Sequence, residues 1–217
     1  LGWIGDAANL ALFEAGLAAA RASQNGVVAI IKPRDELSEI VLRFRAAEEA
    51  GAVALGVDLD GAGLVTMRLQ GQPVGPKTLA QLKTIRAQTQ LPFIVKGIMT
   101  VDEAKMCCEA GADCIVVSNH GGRVLDGCPG GADVLPEIAY ALDGQIPILA
   151  DGCVRSGVDA LKLMALGANG VLVGRPLCWG AYGGGSQGVA TVLQTYTQQL
   201  YQAMIMTGCP DLASIDG

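Results

Sequence analysis

The chain contains a single histidine, His120. One imidazole among scattered carboxylates gives no ligand spacing for a metal centre. No apolar run approaches the roughly 20 residues that a membrane-spanning helix needs. The opening "LGWIGDAANL" lacks the basic start and apolar stretch of a secretion signal. It also lacks an initiator methionine, which leads us to expect residues upstream of Leu1. Clustered basic charge is missing too. The 15 Lys and Arg are dispersed among 21 Asp and Glu, for a net charge of −6, which argues against a nucleic-acid surface. Seven cysteines form no C-x-x-C pair. The cluster "CCEAGADC" (Cys107, Cys108, Cys114) therefore reads as small buried residues on a helix and the following strand rather than as a metal or redox site. An odd cysteine count without a secretion signal fits a reducing cytoplasm. No G-x-G-x-x-G follows the first strand-like run, so a dinucleotide crevice has little support.

What is present is alternation. Seven short apolar runs, "LGWIGD", "VVAIIK", "AVALGVD", "PFIVKG", "CIVVSN", "PILADG" and "GVLVGR", are rich in β-branched and aliphatic residues and do not alternate with polar ones. Strands buried on both faces of a parallel sheet read this way. Helical stretches separate them. "DELSEIVLRFRAAEEAG" ends at Gly51, and "TVDEAKMCCEAG" opens with a Thr100–Glu103 capping box and closes at Gly111. The unit also repeats: Gln90–Gly97 matches Gln145–Gly152, and Glu109–Asn119 matches Ala165–Arg175. Strand–helix alternation throughout means α/β.

An open doubly wound sheet and a closed (β/α)8 barrel both satisfy this pattern. The polar residues favour the barrel. Asp58, Lys96, His120, Asp151 and Arg175 fall at or just past the C-terminal ends of apolar runs, and in a barrel those ends converge on one face. Seven runs rather than eight lead us to expect a TIM barrel lacking its first strand, with residues 1–217 as one domain carrying strands two to eight. "GGGSQG" (Gly183–Gly188) has neither a lysine nor a preceding strand and is expected to be a loop before the last helix.

On that face His120 is the one side-chain type that titrates near neutral pH. Gly121 and Gly122 beside it let backbone approach a ligand. Arg123 can clamp a carboxylate in bidentate fashion, and Asp58 can orient or charge-balance the imidazole. Lys96, at the end of a buried strand, must meet an anion or a polarised ring. Asp151-Gly152 and Gly174-Arg175 end the last two strands, where barrels often hold phosphate. Arg155 and Arg175 supply charge there, and Gly174 close approach. A non-redox phosphate-binding isomerase or aldolase would use Lys96 and the arginine end but leave His120 and Arg123 unemployed. A ligand-binding barrel without turnover is the third reading.

The motifs "KG", "SNHGGRxLD", "DGxxRxGxDxxKxxALGA" and "GRP", in this order and spacing, resemble those of the FMN-dependent α-hydroxy-acid oxidase/dehydrogenase family. The resemblance implies FMN as cofactor and oxidation of a small L-2-hydroxy acid, lactate- or glycolate-like, to the 2-oxo acid. It implies that His120 takes a proton from substrate, Asp58 pairs with the imidazolium, and Arg123 binds the substrate carboxylate. Lys96 would lie near flavin N1/O2, Ser118 would contact the flavin, and Asp151 the ribityl chain. Arg155, Gly174 and Arg175 would hold the phosphate. A homo-oligomer of tetramer type is implied as well. The sequence departs from the family pattern at "IIKP", where Gln-x-Tyr is common, at Gly56, where a Thr is usual, and at Cys153, which replaces a glycine. The usual second substrate arginine has only Arg68 as a candidate.

Overall fold

The computed structural model describes residues 1–6, 9–22 and 26–216. All seven expected strands form: β1 (Gly2–Gly5), β2 (Val27–Ile31), β3 (Ala52–Asp58), β4 (Phe93–Ile98), β5 (Cys114–Val117), β6 (Ile148–Ala150) and β7 (Gly170–Val171). They build one parallel sheet in strict chain order. Between and after them run α1 (Leu10–Arg21), α2 (Leu37–Glu49), α3 (Val65–Leu69), α4 (Leu79–Arg86), α5 (Val101–Glu109), α6 (Gly131–Leu142), α7 (Gly157–Ala165) and α8 (Arg175–Thr207). Strand order decides the architecture. A doubly wound sheet reverses its order at a switch point, whereas a barrel adds each strand to the same side of the last. The sheet is therefore the curled wall of a (β/α)8 barrel, with β1 and β7 as its two edges among the described residues.

Period-2 alternation along the strands sorts the core into two layers. Val27, Ala29 and Ile31 of β2 face outward and pack with helix residues such as Phe13, Ile40, Phe44 and Leu135. Val28 and Ile30 face inward and pack with Ala54, Ile94 and Val116, with no helix residue among them. Only one face of the sheet is thus covered by helices. Gly56 belongs to the inner face. A Cβ there would lie 2.1 Å from the Ile94 carbonyl oxygen and 2.8 Å from Ile30 Cδ1, so this sheet has no room for a threonine at that position.

The Thr100–Glu103 capping box forms with both of its hydrogen bonds. Cys107 and Cys108 lie on α5 and Cys114 on β5. Burial, with Cys108 and Glu103 nearby, pushes the Cys107 thiol up to about 12, as suits an inert packing residue. Asp6, just past β1, is wholly enclosed. Its carboxylate accepts from Arg34 Nη2 at 2.9 Å, Arg43 Nε at 2.9 Å and the Lys32 amide at 3.2 Å, tying β1 to β2 and α2. The Gly183–Gly188 stretch, expected as a loop before the last helix, breaks α8 into two helical segments with non-helical backbone at Gly184 and Gly185, and Gly180 and Gly188 pack backbone to backbone across the break.

Gly157 opens α7 against α8. A Cβ there would lie 2.1 Å from the Tyr196 carbonyl oxygen and 2.2 Å from the Leu200 amide nitrogen. Helix backbone cannot yield as a flexible side chain can, so Gly157→Ala is expected to destabilise the protein by roughly 1–3 kcal/mol, the usual range for overpacking. Thermal denaturation followed by circular dichroism checks this. An unchanged midpoint would contradict the close approach.

Candidate active site

β2, β3 and β4 end side by side, and the parallel register pairs Asp58 with Lys96. The Lys32 ammonium, just beyond β2, donates to Asp58 Oδ2. Lys96 Nζ donates to Asp58 Oδ1 at 3.2 Å and to Ser118 Oγ at 3.1 Å, and lies 3.7 Å from Asp151 Oδ2. One carboxylate thus holds two buried ammoniums. Burial pushes the Asp58 carboxyl up, but Lys96, Lys32 and its other neighbours outweigh it and hold the group well below the usual carboxylate range. For Lys96 burial pulls the other way, and Asp58, Asp151 and Asp60 overcome it to raise the ammonium above its ordinary value. Both groups are held charged.

His120 follows β5 with a left-handed backbone, φ 57°. A bulky residue adopts that conformation only where its surroundings enforce it. Its amide donates to Ser118 Oγ at 3.1 Å, and its carbonyl accepts from Arg123 Nε at 3.2 Å. Ring nitrogen Nδ1 lies 2.9 Å from Asp60 Oδ1 and 3.6 Å from Asp58 Oδ2. Asp58, expected as the histidine's partner, therefore binds the two lysines and stands outside hydrogen-bond range of the ring.

A cavity of about 570 Å³ opens at the C-terminal ends of the strands. Asp58, Lys96, His120, Gly121, Arg123, Asp151, Gly152, Arg155, Gly174 and Arg175 all line it. Ser118 alone of the expected residues does not, being fully buried and bonded to Lys96. Gly121 is tight against Arg175, since a Cβ on it would lie 3.0 Å from Nη2. The Arg155 guanidinium stacks over the Trp179 ring at 5.2 Å from its centroid. Cys153, at the family's glycine position, keeps a left-handed φ of 57°. Arg68 sits exposed on α3 and does not line the cavity.

Two residues of the site were not expected. Lys32 was visible only as a departure from pattern, and Asp60 not at all. The fold also gathers three potential metal ligands, Asp58, Asp60 and His120, whose atoms lie within 4.8 Å of one another. Sequence spacing did not reveal this trio. Lys32 and Lys96 already engage both Asp58 oxygens, so the countercharge at this point is ammonium.

The sequence profile of the FMN-dependent dehydrogenases matches residues 20–217. The chain belongs to this family. It is 45% identical over 139 residues to a 2-hydroxyacid oxidase of Dictyostelium discoideum, covering 64% of this chain and 36% of that one. It is 44% identical over 139 residues to an L-lactate oxidase of Nostoc sp., covering 64% and 38%. Among solved structures, mandelate oxidase with 3,3-difluoro-2-hydroxy-3-phenylpropionic acid superposes with a TM-score of 0.84 at 33% identity, over 92% of this chain and 64% of that one. A mandelate oxidase variant with a monooxide FMN adduct gives 0.79 at 34% identity, over 92% and 71%. The matches span little more than a third of the length of these curated relatives.

Proposed function

We propose that this chain binds FMN and oxidises a small L-2-hydroxy acid, lactate- or glycolate-like, to its 2-oxo acid, with residues 1–217 acting as one domain. One observation carries the proposal: a base, a carboxylate clamp and a cationic end line a single cavity in a chain of this family. The residues present fit the cofactor. Asp151 Oδ1 is buried without a hydrogen-bond partner, and such an acceptor wants a donor, which a ribityl hydroxyl supplies. A Cβ on Gly174 would meet nothing within 4 Å, which leaves open space beside Arg175 and the start of α8 for a phosphate. Lys96, Ser118, Gly121, Gly152 and Arg155 complete the set that would hold FMN, with Lys96 placing positive charge against the ring. When bound, FMN supplies the two-electron acceptor.

The chain's own residues do the rest. The Arg123 guanidinium, steadied at Nε by the His120 carbonyl, binds the substrate carboxylate with its terminal nitrogens. That fixes the hydroxyl-bearing carbon over His120. With Nδ1 engaged, Nε2 is the ring nitrogen that faces substrate and takes the proton that oxidation releases. Asp58 keeps Lys96 charged and holds both Lys32 and Lys96 in place.

No helix among the described residues is long and apolar enough to cross a membrane. All seven cysteines are free, which supports a cytoplasmic setting. Assembly of four copies is part of the same proposal. The test is spectral. The purified chain, reconstituted with FMN, is expected to show flavin absorbance that bleaches under L-lactate or glycolate without oxygen. Flavin absorbance that no 2-hydroxy acid bleaches would leave a binding barrel without turnover. No flavin uptake would remove the proposal altogether.

A further inference from the structure

We propose that Asp60, rather than Asp58, is the carboxylate that positions His120, fixing the imidazole with its proton on Nδ1 so that Nε2 faces the cavity unprotonated. The inference rests on His120 acting as the base, and it adds a residue to which neither the family motifs nor the sequence gave a role.

The geometry separates the two carboxylates. Asp58 lies 3.6 Å from Nδ1 and Asp60 lies 2.9 Å from it. A separation of 2.9 Å is an ordinary hydrogen bond, and 3.6 Å is not one. Each Asp58 oxygen is already committed, Oδ2 to Lys32 and Oδ1 to Lys96. Neither Asp60 oxygen accepts from a lysine among the described residues, and the carboxyl hydrogen-bonds that of Asp58. Oδ1 meets the imidazole, and Oδ2 is buried and accepts from no N–H donor among the described residues. Its side chain is 13% exposed, so the bond to His120 is weakly screened.

The seat for Asp60 is built by the backbone. Asp58 caps a 3-10 turn, Leu59–Gly63, which carries Asp60 over the end of β4. There β4 bulges, its register to β5 shifting between Lys96 and Ile98. The residue at the bulge is Gly97, φ 95°, where a Cβ would fall 2.7 Å from Asp60 Cγ and 2.8 Å from its amide nitrogen. Only glycine combines that conformation with that proximity. From the other side, the left-handed backbone of His120 turns its ring toward the same point. Two uncommon backbone features therefore converge on one hydrogen bond.

The electrostatics agree. Burial raises the Asp60 carboxyl; the hydrogen bond from His120 opposes this and neighbouring Asp58 adds to it, with a net upward shift. A carboxylate of raised basicity is a better acceptor for Nδ1–H than one already neutralised by two ammoniums. The roles divide accordingly: Asp58 balances the lysines, and Asp60 holds the tautomer and stabilises the imidazolium that forms when Nε2 takes its proton.

The lone histidine makes the test direct, because long-range proton–nitrogen-15 correlation spectra of the labelled chain contain one imidazole. The parent is expected to show the Nδ1–H tautomer. Asp60→Ala is expected to release it toward Nε2–H, and Asp60→Leu, which fills the same space without an acceptor, to do the same. Flavin reduction should then fall roughly 10–10³-fold, part of what a positioned base contributes, with KM within a few-fold because Arg123 is untouched. A structural role alone would lower the melting temperature without moving the tautomer. Nδ1–H persisting in either folded variant, or Nε2–H in the parent, overturns the proposal. If instead no hydroxy acid bleaches the parent's flavin, the catalytic reading fails while the tautomer still reports on Asp60.

Discussion

His120→Gln is expected to keep FMN and lose turnover. Converting a 2-hydroxy acid to its 2-oxo acid removes two electrons and two protons, and a proton must leave the substrate as the electrons do. That proton needs an acceptor close to substrate with suitable basicity near neutral pH. Histidine is the side-chain type that offers it, and the chain has one. Two ionisable groups close by, Asp58 and Lys96, do not substitute. Asp58 is held well below the carboxylate range and Lys96 above the ordinary lysine value, so neither exchanges a proton readily at working pH. Glutamine keeps comparable bulk and can hydrogen-bond Asp60, but it cannot accept a proton. The rate of flavin reduction should therefore fall by roughly 10²–10⁴, the contribution of a positioned base. FMN affinity should stay within a few-fold, because the cationic end at Arg155 and Arg175 and the free Asp151 oxygen are untouched. Anaerobic stopped-flow bleaching measures the first quantity, and quenching of flavin fluorescence on binding measures the second. A variant that reduces within a few-fold of the parent rate would remove His120 from the mechanism.

The architecture was legible because it is written in local signals. Each strand is a short apolar run, and α2 and α5 carry their own stops at Gly51 and Gly111, so the count of the strands followed directly. Ten of the eleven expected site residues line one cavity for a related reason: in a parallel barrel, the residue that ends a strand faces the functional end whatever its neighbours are. Asp60 escaped notice because its depth is not local. "DLDG" reads as a solvated turn. Only the bulge at Gly97, brought alongside from another strand, turns that aspartate inward. Lys32 was seen as a missing Gln-x-Tyr rather than as a cation, since its partner Asp58 sits a whole helix away in sequence. The break in α8 was legible in composition. Three consecutive glycines suggest a loop, and at Gly184 and Gly185 the backbone is non-helical between two helical segments, with Gly180 and Gly188 packed closely across it.

Asp58→Asn is expected to cost more stability than any other single change at the site. The substitution preserves shape but leaves Lys32 and Lys96 as buried ammoniums without their shared counterion, their side chains only 11% and 13% exposed. Removing one partner of a buried ion pair costs roughly 3–5 kcal/mol, because the charge left behind has lost its solvation without compensation. For a chain of this size that lowers the melting temperature on the order of 10 °C. The effect carries a pH signature. Asp58 is depressed below its ordinary value of 3.8 in the folded protein. Its contribution is thus fully present above that value and is lost as pH falls through the folded one. Lys96 is raised above its ordinary 10.5, so its share is present below that value and fades at higher pH. The difference in melting temperature between parent and variant should therefore be widest from about pH 5 to pH 9 and narrow toward either extreme. Adding Lys32→Met to Asp58→Asn removes one of the two stranded charges and should restore part of the loss. If Asp58→Asn melts with the parent at neutral pH, or if the double variant is less stable than the single one, Asp58 is not the counterion that holds the two lysines.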